Sequence, residues 1–389
     1  MEEQEEASVS HQEVMQECCQ AVSGLLSYLS LPLEKGLAAM LLGVVKGQSV
    51  VLSDASAEIP GCIQNRSKQR RLQRLIANDR LEVHKAQRYI LRRMLQARHG
   101  RVDLFLDAST TGATAHQAGT VTLCVAIGRR GRALPLVWRT FTADEPGQDW
   151  KRTIRELFEV VQSELPPDVQ VVLMADRGLS GGPLGRLAQD LGWYYVLRVQ
   201  SGTRVQQADE SIQTIAELAP KPETSCFLAQ VRVWPPRKKG THWVSFWDDA
   251  TVANVVAVWR EGDSEPWLLV TNLPANQSRC NDYRRRTWEE ELFRDLKSFG
   301  WNWQRSRVRD PRRVERLLLV MALATLWMLV LSQRVIRAGR RRLLEEHSRR
   351  CYSWFQLGIR WLKYCLVNDQ PIHCCLQPWS ERAAPVKLS

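Results

Sequence analysis

The stretch Val102-Asp103-Leu104-Phe105-Leu106-Asp107-Ala108-Ser109 is mostly apolar and runs into Thr110-Thr111-Gly112. A second stretch, Val169-Gln170-Val171-Val172-Leu173-Met174-Ala175-Asp176-Arg177-Gly178, is built in the same way. Each reads as a buried strand, because a short run of β-branched and apolar residues bounded by turn-formers suits a pleat. Each also finishes on an aspartate, Asp107 in the first and Asp176 in the second. A single strand-terminal aspartate is commonly a turn-former or a helix cap. Two on neighbouring strands begin an oxygen-rich pocket.

A third carboxylate stands downstream, where residues 282–300 read as one helix. At about 100° per residue, Tyr283, Arg286, Glu290 and Lys297 fall at roughly 0°, 300°, 340° and 320°, on one narrow stripe. Glu289 and Glu291 point roughly 100° to either side and leave the stripe. Trp288, Leu292, Leu296 and Phe299, with Phe293 at the edge, form the face expected to press on a core. A salt-bridged surface helix would also carry such charges. The two upstream aspartates favour a different reading, metal-assisted chemistry on phosphate. Carboxylates suit Mg²⁺, and two ions about 4 Å apart can clamp the attacking and leaving oxygens of a phosphoryl transfer.

With these residues placed, the sequence resembles the DDE transposases of the insertion-sequence-four group. The spacing Y-x-x-R-x-x-x-E-x-x-x-x-x-x-K is met at Tyr283, Arg286, Glu290 and Lys297. Leu106-Asp107, Ala175-Asp176-Arg177-Gly178 and Glu291-Leu292-Phe293-Arg294-Asp295-Leu296-Lys297-Ser298 match as well. The family often has a tryptophan after the arginine and an apolar residue before the glutamate. Here those positions hold Thr287 and Glu289, and the tryptophan comes at Trp288. The resemblance implies a prokaryotic, cytoplasmic, nucleoid-associated enzyme. Asp107, Asp176 and Glu290 would hold two Mg²⁺ or Mn²⁺ ions, while Tyr283, Arg286 and Lys297 grip phosphates. A homodimer would pair two double-stranded DNA ends at terminal inverted repeats and join them to target DNA. Two other readings share the fold: a stand-alone nuclease that nicks without joining, and a DNA-binding relic inactive in transposition.

The formal net charge of +12 and pI near 9.4 suit a polyanionic partner, nucleic acid or an acidic membrane surface. The charge is patterned. Residues 1–20 carry six acids and no Lys or Arg, and are expected to be solvated and partly disordered. Residues 66–101 carry twelve Lys or Arg against two acids, and residues 334–350 form a second basic tract. On a candidate helix at 67–77, Arg70, Arg71 and Arg74 lie close to one face and are candidate DNA contacts. That helix and the next, at 81–97, read either as a helix-turn-helix-like reader or as a helical cap over the core.

Periodicity divides the rest. Residues 12–48 are helical with a break at Pro32. Strands follow near 102–109, 119–127 and 132–141, then a helix at 150–165, the strand ending at Asp176, a helix at 184–191 and a strand at 193–199. This is the order of a ribonuclease-H-like core, in which the first and fourth strands lie side by side. Strand-like runs at 226–233, 243–247, 252–259 and 267–271 make a β insertion, whose tryptophans include Trp234, Trp243, Trp247, Trp259 and Trp267. These tryptophans are candidates to stack an unpaired base, though core positions explain most of them. The fold class is therefore α/β: a ribonuclease-H-like core interrupted by a β insertion, with helical N- and C-terminal regions. The boundaries fall at 1–100, 101–199, 200–281, 282–335 and 336–389.

Ten scattered cysteines without a C-x-x-C pair, and no signal peptide, read as reduced cytosolic thiols. His373-Cys374-Cys375 lacks the spacing of a structural zinc site. The uncharged run 317–331 has fifteen residues, short of the ~20 a bilayer span needs. It reads as a buried helix, not a membrane anchor.

Overall fold

The structure, a computed structural model, describes residues 2–96, 98–113, 118–143, 148–179, 182–234, 250–345, 351–377 and 381–382. Five helices come first: α1 (Glu2–Leu25), α2 (Leu31–Gly47), α3 (Leu52–Ala57), α4 (Asn65–Ala77) and α5 (Val83–Leu95). The core comes next as β1 (Arg98–Thr111), β2 (Thr120–Arg129), β3 (Arg132–Thr142), α6 (Trp150–Gln162), β4 (Val169–Ala175), α7 (Gly182–Asp190) and β5 (Tyr194–Arg198). After it stand β6 (Arg204–Gln206), β7 (Ile212–Thr214), β8 (Thr224–Trp234), β9 (Thr251–Trp259) and β10 (Trp267–Thr271). The chain closes with α8 (Ser278–Arg284), α9 (Thr287–Arg294), α10 (Pro311–Arg337), α11 (Trp354–Val367) and β11 (Glu381–Arg382).

One sheet runs through the molecule in the order β3-β2-β1-β4-β5-β10-β9-β8-β6-β7, with β11 beside the start of β1. β1, β2 and β3 pair antiparallel, whereas β4 and β5 run parallel to β1. That arrangement, with α6 crossing from β3 to β4, is the ribonuclease-H-like topology. Pro135 sits in β3 next to a register shift opposite Val125 and Ala126. A proline is tolerated there because β3 is the edge strand and its ladder is already interrupted. The segment between β5 and α8 continues the same sheet, since β10 pairs with β5 and β9 with β10. The strand expected at 243–247, and with it Trp243 and Trp247, lies outside the described residues.

Helix α10 is the axis of the helical layer. Asp310 caps it, accepting from the Arg313 backbone N–H at 2.9 Å, and Pro311 opens its first turn. This helix is long and apolar enough to cross a membrane, but its apolar stretch is wholly buried inside the protein. It packs against α2, α11 and β3. Gly358 lets α11 lie directly on it, because a Cβ there would stand 2.2 Å from the Met328 carbonyl oxygen.

The N-terminal helices share this core. Leu72, Leu75 and Ile76 of α4 and Ala86, Ile90, Leu91 and Met94 of α5 are buried in it. Gln87 donates to the Trp138 carbonyl at 3.1 Å. α5 packs on the edge strand β3, and α4 packs on α10, α2 and α3. The acidic end, expected to be partly disordered, is taken up in helix α1.

Candidate active site

Strand pairing brings the first two carboxylates together. β1 and β4 run parallel with Leu106 opposite Ala175, so Asp107 and Asp176 stand at the same level. Asp176 directly follows β4, whereas Asp107, expected at a strand end, lies inside β1, which pairs with β2 as far as Thr111. Adjacent strands lie about 4.8 Å apart. Each aspartate also accepts from the following backbone N–H, Asp107 from Ala108 at 2.8 Å and Asp176 from Arg177 at 2.7 Å.

The single helix expected over 282–300 is three pieces. α8 ends at Arg284, α9 starts at Thr287, and residues Asp295–Phe299 form a π-helical turn. Ion pairs fix these pieces to the sheet. Arg101 on β1 pairs with Asp103 and, at 2.7 Å, with Asp282, while Arg285 reaches Asp103 at 2.7 Å. Arg132 on β3 holds Glu291 at 3.2 Å and Asp295 at 3.1 Å. The π turn adds a residue to the helical repeat and so rotates the end of the segment. Phe299, expected on the core face, is therefore 74% exposed.

Arg286 is the centre of the site. Its guanidinium lies 2.8 Å from Asp107 Oδ2 and 3.8 Å from Asp176 Oδ2, and its other terminal nitrogen pairs with Glu290. Burial is the largest single influence and works against this cation, but Asp107 and the other acidic neighbours together outweigh it and raise the guanidinium pKa above its ordinary value. Burial raises the Asp107 carboxyl above its usual range, with Arg286 pulling it back. Tyr283 is buried edge-on to Trp267, its hydroxyl 3.5 Å from Asp176 Oδ1; burial pushes its pKa up. Lys297 is half-buried, and burial lowers its pKa while Asp107 opposes the shift. The structure thus brings Asp107, Asp176, Tyr283, Arg286, Glu290 and Lys297 together. Arg286 turns to the carboxylates and is buried, whereas the Glu290 side chain is 56% exposed.

Glu289 does not swing clear of the site. It is 0% exposed, and neither carboxylate oxygen has a hydrogen-bond partner. Burial first, then Asp107, drives its pKa well above the usual carboxylate value, so it is held neutral. The sequence carried a signal for this. Leu292, Phe293 and Leu296 stand at i+3, i+4 and i+7 from Glu289, which puts it in the middle of the apolar stripe.

Among the described residues, no three acidic, His or Cys side chains stand ready to chelate one ion. The donor set still fits a hard divalent cation. Three carboxylates converge on one positive group.

Of the basic residues expected to meet DNA, Arg70 and Arg74 line an open cleft facing residues 306–313, and Arg71 does not. The four-residue spacing explains the split, since Arg71 lies about 100° round the helix from Arg70. Arg92 on α5 is used internally, paired with Glu164 at 2.8 Å.

Burial of Asp295 makes the stability of this segment depend on pH. Burial lifts its carboxyl to about 7, with Arg132 opposing. In the fold it keeps a proton that the unfolded chain has released above about pH 4, so stability falls as pH rises from there towards 7. Asp295→Asn removes this decline. In urea titrations at pH 5 and pH 7, the variant should gain on the parent by roughly 1–2 kcal/mol across the interval. A gap that does not change with pH would show that Asp295 is ionised throughout.

The strand order and the carboxylate cluster define a ribonuclease-H-like α/β protein with an acidic site on its central strands. Residues 150–327 match the family described as transposase DDE domain. The match includes Asp176, Tyr283, Arg286, Glu290 and Lys297, whereas Asp107 precedes it and joins through the pairing of β1 with β4. This supports a transposase or nuclease function. No curated protein sequence matches the chain. Among solved structures, endonuclease V from Bacillus subtilis is similar at 12% identity and a TM-score of 0.24, covering 67% of this chain and 92% of that one. The C-terminal lobe of a budding yeast Argonaute is similar at 8% identity and a TM-score of 0.21, covering 68% and 56%. These likenesses are low, and the fold rests on strand order and pairing.

Proposed function

We propose that the chain is a DDE transposase of the insertion-sequence-four type that cuts and rejoins double-stranded DNA at the terminal inverted repeats of its own element. The observation that carries this reading is the meeting of Asp107, Asp176 and Glu290 around one cation, within and beside a stretch matching the transposase DDE domain. Asp107, Asp176 and Glu290 would hold two Mg²⁺ or Mn²⁺ ions, which activate a water and neutralise charge on a phosphodiester. Asp107 sits on β1 and Asp176 directly after β4, and the exposed Glu290 side chain closes the site from α9. Tyr283 and Lys297 flank the carboxylates and would contact phosphate oxygens. Arg286 joins them once its guanidinium exchanges a carboxylate for a phosphate, a partner its fork also fits. Cleavage breaks a P–O3′ bond, and the freed 3′-hydroxyl attacks a second phosphodiester with loss of that bond's leaving oxygen. A homodimer pairing two ends in a prokaryotic cytoplasm completes the reading.

The test uses a plasmid carrying the DNA that flanks this gene, incubated with the full chain and Mg²⁺ or Mn²⁺. The expected time course shows nicked, then fully cleaved, then joined products confined to the flanking repeats. Nicks without joined products favour the stand-alone nuclease. Binding without any cleavage in either metal favours the inactive relic.

A further inference from the structure

A cleft of about 1020 Å³ opens between α4 and the segment 306–313 that leads into α10. One wall carries Arg70 and Arg74, the other Arg307, Arg309 and Arg313. None of these five guanidiniums forms an ion pair among the described residues, whereas nearby Arg92 and Arg316 are paired with Glu164 and Asp79. The one carboxylate among the described lining residues, Asp310, is engaged in capping α10. Five unpaired arginines facing each other across an open groove repel one another and remain unneutralised until a polyanion enters.

The second wall of the cleft reaches the end of the strand that carries Asp107. Arg309 Cγ stands 3.6 Å from the place a Cβ would take on Gly112. Gly112 comes just after β1, five residues beyond Asp107, about 16 Å of extended chain. One strand of DNA advances 3.4 Å per phosphate along the duplex axis, so the groove mouth is roughly five base pairs from the acidic site.

We propose that this cleft seats the phosphate backbone of duplex DNA beside the acidic site, with Arg307, Arg309 and Arg313 as a second wall opposite Arg70 and Arg74. The proposal deepens the DNA-acting reading and rests on it. Guanidinium forks on both walls suit phosphate oxygens, and the regular charge of a duplex matches a two-walled groove better than an irregular acidic peptide does.

Binding of the full chain to a duplex is titrated at several salt concentrations in EDTA, where cleavage plays no part. Arg307→Gln, Arg309→Gln and Arg313→Gln together should flatten the slope of log K against log salt by about 2.7 units, about 0.9 for each lost contact. The matching triple lysine variant, which keeps the charge, should restore the slope. An unchanged slope in the glutamine variant, or a loss that lysine does not restore, overturns the proposal. Nicking by the unaltered chain is scored separately in Mn²⁺, so a failure of the transposase reading and a failure of the groove are told apart.

Discussion

Asp107→Asn, Asp176→Asn and Glu290→Gln should each lower strand cleavage by about 10²–10³-fold or more, the scale on which single charge-stabilising groups act in a transition state. Duplex binding in EDTA should survive, because the amides keep the shape of the site and leave the basic surface in place. Each substitution removes negative charge that hard cations require, and each also loosens one anchor of Arg286. Glu289→Gln is the informative control. A buried carboxyl that holds its proton is close to an amide in shape and charge, so this variant should nick at near the parental rate. A gel time course on supercoiled plasmid decides the matter. If Glu289→Gln is dead and Glu290→Gln active, the third carboxylate of the site is Glu289.

The second large effect is on stability. Glu289→Met should stabilise the fold by about 1–3 kcal/mol, the usual cost of burying a polar group without a partner. Methionine fills a similar volume and adapts to the gap between β1, β2 and α9. The gain should grow as pH rises above about 4, since the unfolded parent then releases a proton that the folded parent retains. Urea unfolding of both proteins at pH 5 and pH 8 measures it. Equal midpoints at both values would show that the carboxyl finds a compensating interaction and carries no penalty. The cost is concentrated where α9 meets the central strands, and removing it should stiffen that contact.

The two predictions share a cause in the way α9 is mounted. Its outward face presents Glu290 to solvent, and its inward face sets Glu289 against β1 and β2 near Asp107 and Cys124. Consecutive glutamates thus meet opposite environments about 100° apart. Burial raises the Cys124 thiol pKa for the same reason that it neutralises Glu289.

Much of the fold was legible in the sequence because it depends on local pattern. The apolar runs leading to Asp107 and Asp176 showed the strands, and Asp176 does follow the end of its strand, but β1 continues past Asp107 to Thr111 because β2 pairs with it that far. The uncharged run from Leu317 showed a buried helix, but its length misjudged the element. The helix extends over Pro311–Arg337, long enough to cross a membrane, and it is its burial in the fold that the structure adds. The spacing of Tyr283, Arg286, Glu290 and Lys297 grouped side chains that the structure gathers near Asp107 and Asp176. The strand at 132–141 was marked by its apolar run and the turn Gly128-Arg129-Arg130-Gly131 before it, though not as an edge strand.

Other features needed the third dimension. The break between α8 and α9 and the π turn at Asp295–Phe299 come from long-range ion pairs. Arg101 and Arg285 hold the entry to β1, and Arg132 holds the exit to β3. Residues far apart in sequence meet there, and no helical periodicity reports such partners. The turn then carries Phe299 out of the core. The arginines from Arg305 to Arg313 were not singled out in the sequence, and their role as one wall of a cleft depends on α4 packing opposite them. The sequence by itself determined which elements form and which carboxylates they carry, since hydrophobic period and turn chemistry are local. Tertiary structure alone decided that Arg286 bridges those carboxylates, that Glu289 is sealed beneath them, and that two arginine walls face each other. Burial and charge pairing are properties of neighbours in space.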